Sequence, residues 1–418
     1  MKKLLVMGSN FGCIELIREA KKRGYYTIVT DYYDAEHSNA KKECDECWDL
    51  STSDTEALAK KCREENIDAV TCGVSEFNSD MTFRLCDATG LPKYCTTEAW
   101  EYPRNKRKFK DICKEYGVRV ASDYDITVLD RGGTIDESLL PVVVKPVDSA
   151  ANVGVSFCYR EEDLRPAYEY AKSVTKHPET IICEQMLDGH EYAAAYALLD
   201  GEARLINLFA MHNEEGMPGN MYSLDVTTTG ILDRYLEEIE PGITKVFKAA
   251  GFDGGVLWIE LMQDNRDGHL YVLECGYRFP ASMIFYTYKE VMGFDAVSWY
   301  LDSFMGIKHT EADLPVPQKK EYEKYGVTYL LWNGPGGKLR SVEGLDIVQA
   351  DDRIDIVDNL RRPGYELTPN TLMAEVIFTA DSKDEVIEIL KFINDNVKFV
   401  TEDGTDVLVR YTSFDKIY

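Results

Sequence analysis

Three β-like runs between Val142 and Arg278 each carry polar residues of types that could handle a polyanion. Val142-Val143-Val144 is a β-branched run that suits a buried strand, and Lys145 stands at its end. Pro146 stops strand pairing, and the residues from Asp148 to Gly154, Ser149 among them, are small or polar. Such a loop lets backbone N–H groups approach phosphate oxygens closely. It is not the G-x-x-x-x-G-K-[ST] loop, because the lysine precedes the small residues. A second run, Ile181-Ile182-Cys183, is left by Glu184-Gln185-Met186-Leu187, and Glu191 follows the turn Asp188-Gly189. Glu191 could accept hydrogen bonds from ribose hydroxyls, and the backbone from Gln185 to Leu187 could pair with an adenine edge. In the third, Gly255 to Leu261 and His269 to Glu274 read as a hairpin through Asp264 to Gly268. That hairpin would set Glu260 opposite Glu274. Like charges facing across a sheet destabilise it unless a cation lies between them, and Mg²⁺ is a hard cation that prefers oxygen ligands. Read singly, the first two segments would also suit a hairpin with a snorkelling lysine and a solvated acidic turn, while an exposed charged hairpin accounts for the third only in part, because its like charges oppose.

Taken together, the segments resemble the ATP-grasp superfamily of carboxylate–amine ligases over roughly residues 1–310. The family pattern begins with a lysine at a helix start, matched in Asn105-Lys106-Arg107-Lys108-Phe109 best by Lys106. A second lysine before a small-residue loop follows, matched by Lys145 and Ser149. The resemblance implies an adenine hinge at Glu184, Gln185 and Leu187, with Glu191 on the ribose. It implies metal ligands at Glu260 and Glu274, and a phosphate-facing catalytic arginine at Arg278. ATP and Mg²⁺ are the implied cofactors, and a small-molecule carboxylate and amine the implied substrates. The implied reaction activates the carboxylate as an acylphosphate, which the amine captures. One departure stands out. The family usually has Asn two residues after the second metal acid, where this chain has Gly276. Glycine cannot ligate, so a second magnesium site is in doubt. Three rival readings remain: a bicarbonate-using carboxylase of the same fold, a nucleotide-binding protein without ligase activity, and a nicotinamide enzyme.

The elements that must position these residues read as α/β and α+β. Residues 3–31 alternate strand, helix and strand around Gly8-Ser9-Asn10-Phe11-Gly12. The dinucleotide fingerprint G-x-G-x-x-G is absent, although Asp31 lies where a ribose-binding acid would. Helices over Thr55 to Glu65 and Ser79 to Thr89 flank a strand ending at Cys72, which implies a parallel, Rossmann-like sheet with helices on both faces. Glu76 leaves a strand end, where such sheets bind ligands. The expected division is an N-terminal Rossmann-like domain over 1–104, an ATP-grasp domain over 105–315 and a C-terminal accessory α+β domain over 316–418. Within the second, residues 118–190 would form a mobile lid lobe over ATP. A helix over Leu232 to Ala250 and helical structure over 283–305 complete the middle of the chain. The polar stretch from His212 to Thr229 is long enough to be functional, with His212, Tyr222 and Ser223 as candidate acceptor contacts.

Composition bounds the partners. The 418 residues carry a net charge of −26, which argues against nucleic acid because phosphate binding needs a basic face. No apolar run approaches the ~18 residues of a membrane span. Met1-Lys2-Lys3 precedes too short an apolar run for a signal peptide. The 11 cysteines are odd in number and scattered, which suits reduced thiols and a cytoplasmic location. Cys44-Asp45-Glu46-Cys47 is a lone C-x-x-C with no second pair at zinc-finger spacing. A homodimer is left open.

Overall fold

The computed structural model describes residues 1–148, 153–214, 217, 221–320 and 322–418. Ser149 and most of its small-residue loop therefore lie outside the described residues, as do Gly216, Pro218 and Gly219.

The chain opens with a parallel sheet. Strands β1 (Lys3–Met7), β2 (Tyr26–Thr30), β3 (Glu46–Trp48) and β4 (Ala69–Cys72) lie in the order β3-β2-β1-β4. The helix Phe11–Lys22 starts where Asn10 accepts the Cys13 N–H at 3.2 Å, and it buries Ile14, Leu16, Ile17 and Ala20. The helix Glu76–Thr89 starts earlier than the sequence suggests, because Ser75 caps it. Leu5, Met7, Ile28 and Val70 face one helical layer, while Leu4, Val6 and Val29 face the rest of the molecule. That split is what a parallel sheet covered on both faces requires.

A small three-stranded sheet follows. Its strands β5 (Val142–Pro146), β6 (Ser156–Cys158) and β7 (Ile181–Gln185) are antiparallel in the order β6-β5-β7. The helix Glu161–Val174 covers one face, with Leu164, Ala167, Tyr168 and Ala171 packed on Val142, Val144, Cys158 and Cys183. Lys145 alternates to the other face of β5.

The long β8 (Gly189–Leu199) and β9 (Glu202–His212) turn at Asp200-Gly201, both with positive φ. β10 (Leu224–Val226), β11 (Gly255–Asp264) and β12 (Leu270–Gly276) join them. The expected single helix over Leu232 to Ala250 is two, Leu232–Glu238 and Glu240–Ala249. Pro241 has no N–H to donate and opens the second helix.

The last hundred residues do not build a separate sheet alone. β13 (Tyr325–Asn333) pairs with β10, and the sheet runs on through strands after β14 (Gly337–Glu343). β15 (Ile354–Asn359), β16 (Glu366–Leu367), β17 (Leu372–Ala380), β18 (Lys398–Thr401) and β19 (Leu408–Val409) complete the chain. The result is one nine-stranded sheet ordered β12-β11-β8-β9-β10-β13-β17-β15, with β19 on β13. The helix Lys383–Asn396 buries Val386, Ile389, Leu390 and Ile393 against a second core made by β13 and β17. No helix among the described residues is long and apolar enough to cross a membrane.

Candidate functional site

One face of the nine-stranded sheet forms the floor of a cavity of about 740 Å³. Register decides which residues reach it. Met262 pairs with Glu191 across β11 and β8, and Glu191 pairs with Met211 across β8 and β9. Two residues along, Glu260 pairs with Ala193, and Ala193 with Phe209. Strand period two puts both rows on one face, and every one of these side chains lines the cavity. Glu260 also pairs directly with Glu274 on β12, as the hairpin reading requires, and the register shifts just after it.

The other walls bring in distant segments. Lys145 comes from β5, Gln185 and Leu187 from the end of β7, Lys106 from a helix start, and Arg278 from the turn after β12. Lys106 opens the helix Lys106–Glu115, where the Asn105 side chain accepts the Lys108 N–H at 3.0 Å. Of the sequence-derived candidates within the described residues, Lys106, Lys145, Glu184, Gln185, Leu187, Glu191, Glu260, Glu274 and Arg278 all line this cavity, as do Glu76 and Tyr222. His212 does not line it; it is buried, with its ring near Tyr411 and Tyr418. Ser223 is buried and donates to the Met217 sulfur at 3.1 Å.

Charges in the cavity fall into two groups. Lys106 is ion-paired with Glu274, and Lys145 with Glu184. Glu184 also pairs with Lys110, which reaches Asp123 at 2.6 Å, and Arg107 reaches Asp123 at 3.0 Å. Glu184 is thus a buried counter-ion between two lysines. Burial disfavours its charge, but Lys145 and Lys110 outweigh that and hold its carboxyl below the usual range. Lys110 and Asp123 were not visible as site residues in the sequence, since only the fold brings them to Glu184.

The second group is Glu191, Glu260 and Glu274, acids that outnumber their one paired cation, Lys106. Burial first, then Glu274 and Glu191, raise Glu260 well above the carboxylate range, while Lys106 keeps Glu274 below it against its own burial. Burial alone pushes Glu191 up to about 7. Two carboxylates face each other here and the one lysine pairs with Glu274, so a divalent cation would relieve the remaining repulsion. Among the described residues no group of three or more His, Cys, Asp or Glu could hold a metal ion. An ion on Glu260 and Glu274 would therefore complete its shell with phosphate and water oxygens, as Mg²⁺ commonly does.

The adenine-edge expectation narrows. The Gln185 N–H donates to Ser122 O at 2.9 Å and the Met186 N–H to Pro141 O at 3.3 Å, while Arg266 donates to Met186 O at 3.0 Å. Of these three residues, Leu187 is the one whose N–H has no protein acceptor among the described residues.

Gly276 also acquires a reason. A Cβ there would lie 2.3 Å from the Trp258 ring, since Trp258 is its cross-strand partner. The indole fills the room that a side chain at 276 would need. Trp258 had no sequence signal beyond lying two residues before Glu260.

Residues 138–284 match the family model described as ATP-grasp domain. The chain is similar to formate-dependent phosphoribosylglycinamide formyltransferase of Prochlorococcus marinus, 30% identical over 172 residues, which is 41% of this chain and 43% of that protein. It is likewise similar to the Bacteroides fragilis protein of that name, 29% identical over 175 residues, 41% and 44% of the two chains. The chain thus matches less than half the length of these curated relatives. Among solved structures, an L-amino acid ligase from Bacillus licheniformis superposes with a TM-score of 0.76 at 20% identity, covering 96% of this chain and 99% of that one. Phosphoribosylglycinamide synthetase from Anaerococcus prevotii gives 0.70 at 18% identity, covering 96% and 100%. The biotin carboxylase domain of the Hydrogenobacter thermophilus 2-oxoglutarate carboxylase, in complex with MgADP and bicarbonate, gives 0.73 at 17%, covering 95% and 91%. These likenesses show a shared fold.

Proposed function

We propose, from the premise that this chain carries an ATP-grasp domain, that it is an ATP- and Mg²⁺-dependent ligase which activates a carboxylate and passes it to an amine. The observation that carries this reading is the gathering of Lys106, Lys145, Glu191, Glu260, Glu274 and Arg278 around one cavity, with Glu260 and Glu274 directly opposed. The adenine edge meets the Leu187 N–H, and Glu191 accepts from the ribose hydroxyls. Lys106 and Lys145 neutralise phosphate charge and give up part of their present ion pairs to do so. Magnesium held by Glu260 and Glu274 would supply charge neutralisation at the phosphates.

A substrate carboxylate oxygen attacks the γ-phosphorus in line, the bond to the β-phosphate oxygen breaks, and ADP leaves with the electron pair. Arg278 stabilises charge on the transferring group, and the amine then displaces phosphate from the acylphosphate. Positioning and electrostatics supply most of the acceleration in such transfers. The lobe over 118–190 closes on the nucleotide and excludes water. Formate and amino acids are the first carboxylates to try, since the names of similar proteins point to both. The eleven cysteines are free thiols, which favours a cytoplasmic setting.

The experiment is a coupled ADP-release assay over pairs of carboxylate and amine, with labelled bicarbonate as one arm. Release that needs both partners supports the ligase. Bicarbonate incorporation without another carboxylate supports the carboxylase reading. The absence of release in every arm overturns catalysis.

A further inference from the structure

Trp258 closes the same end of the cavity from which Arg278 projects, and its polar atom has been left over. The residue is 7% exposed and lines the cavity, and its Nε1 has no hydrogen-bond partner among the described residues. A buried indole N–H usually finds an acceptor. A Cβ on residue 276 would lie 2.5 Å from that nitrogen, so Gly276 is what leaves the edge of the indole uncovered. The Arg278 guanidinium lies 5.5 Å from the ring centroid. Among the described residues Arg278 donates one hydrogen bond, from Nη1 to Phe279 O at 2.6 Å, and the rest of its fork remains for a ligand. A cation and a neutral donor therefore share one wall.

The strand supplies a ruler. Along β11, Met262 faces Glu191, Glu260 follows on the same face, and Trp258 follows Glu260. At about 3.4 Å per residue, Trp258 sits ~7 Å beyond Glu260 and ~14 Å from Met262. With the nucleoside at Glu191 and the phosphates at Glu260, Trp258 lies past the last phosphate. A donor there meets the group that attacks the phosphate.

We propose that the Trp258 indole N–H and the Arg278 guanidinium form the seat of the substrate carboxylate, the N–H donating to one carboxylate oxygen while the other attacks the γ-phosphorus. The indole keeps its proton throughout and positions the nucleophile; an amide can offer its carbonyl oxygen to the indole N–H, but its NH₂ then meets the Arg278 guanidinium donor against donor and carries no charge to hold it there. This assignment rests on the ligase reading for the direction in which the nucleotide lies.

The test uses the full-length protein loaded with MgADP and labelled with ¹⁵N. Five tryptophans give a sparse set of indole N–H resonances, and Trp258→Phe identifies the one that belongs to Trp258. Formate and each common L-amino acid are titrated singly, with the matching amino-acid amides as controls, and inorganic phosphate in a separate sample. The expected result is a saturable shift of the Trp258 resonance with at least one carboxylate and none with its amide. In the ADP-release assay Trp258→Phe should raise the KM of that carboxylate about tenfold or more, the worth of a hydrogen bond to a charged group, with the KM of ATP unchanged. No shift with any carboxylate, a shift with the amide as well, or a shift with phosphate alone would overturn the proposal. The resonance is read on the wild-type chain, and if Trp258→Phe fails to fold, single Phe substitutions at Trp48, Trp100, Trp299 and Trp332 assign it by elimination. A chain that releases no ADP in any arm would remove the ligase reading, while the indole shift would still report whether a carboxylate sits there.

Discussion

At the residue scale, Arg278 and the acids beside it carry the sharpest expectations. Arg278→Ala should lower turnover by about 10²–10³-fold, the usual loss when a donor to developing charge is removed, while Mg²⁺-dependent nucleotide binding survives. Steady-state kinetics and calorimetry on the same sample separate the two effects, and unchanged turnover would take Arg278 out of the chemistry. The acids give a pH signature. Burial raises Glu191 to about 7 and Asp225 to about 8, and it raises Glu260 and Glu375 well above their usual range. A carboxyl raised in the folded state binds its proton more tightly there than in the unfolded chain. Between the unfolded value near 4 and the folded value near 7 or 8, these groups therefore make stability fall as pH rises. The metal-free protein should melt at lower temperature at pH 8 than at pH 6, and Glu191→Gln should flatten that slope. Mg²⁺ with a nucleotide should raise the melting temperature more at pH 8, where Glu260 gives up its proton more readily. A slope of the opposite sign in the metal-free protein would show that these carboxyls are not buried as described.

At the element scale, the hairpin of β11 and β12 was legible in the sequence because strand period and a short Gly-containing turn together fix which residues oppose. Glu260 opposite Glu274 follows from that alone. The use of Trp258 does not, since it depends on a ring crossing to the partner strand over a residue with no side chain. Gly276→Ala should cost about 1–3 kcal/mol, the usual range for forcing an extra methyl into a filled space, measured by urea unfolding. Trp258→Leu in the same chain should recover most of that loss, because the indole is what the methyl meets. Full stability of Gly276→Ala would contradict the contact. Helix ends read less well. The break at Ile239 hides in an apolar pattern that runs unbroken from Leu232 to Ala250, and only Pro241 marks it. That the backbone after β7 reaches the cavity was legible, and the state of its N–H groups was not. Which of the Gln185, Met186 and Leu187 N–H groups is unspent depends on Ser122 and Pro141, far away in sequence.

At the scale of the whole molecule, residues far apart in the chain meet because one sheet collects them. β8 and β11 supply the floor, β5 and β7 of the small sheet supply Lys145 and Gln185, the segment after β7 supplies Leu187, and the N-terminal unit contributes Glu76 and Phe77. The Rossmann-like start and the antiparallel core were readable from alternation of element types. The continuation of that core through β13, β17 and β15 was not, because strand neighbours across a long separation leave no local mark. Lys145 and the acid floor belong to different sheets, so a nucleotide between them should tie the two together. Hydrogen exchange of β5 and β7 should slow on adding Mg²⁺ and a non-hydrolysable ATP analogue, and exchange in β1 and β2 should change little. The most direct measurement is calorimetric titration of that analogue with Mg²⁺ into the wild-type chain and into Lys145→Ala. One nucleotide per chain, bound at least about tenfold more weakly by the variant, is the predicted result; no binding, or the same dissociation constant for both proteins, would contradict a nucleotide clamped in this cavity.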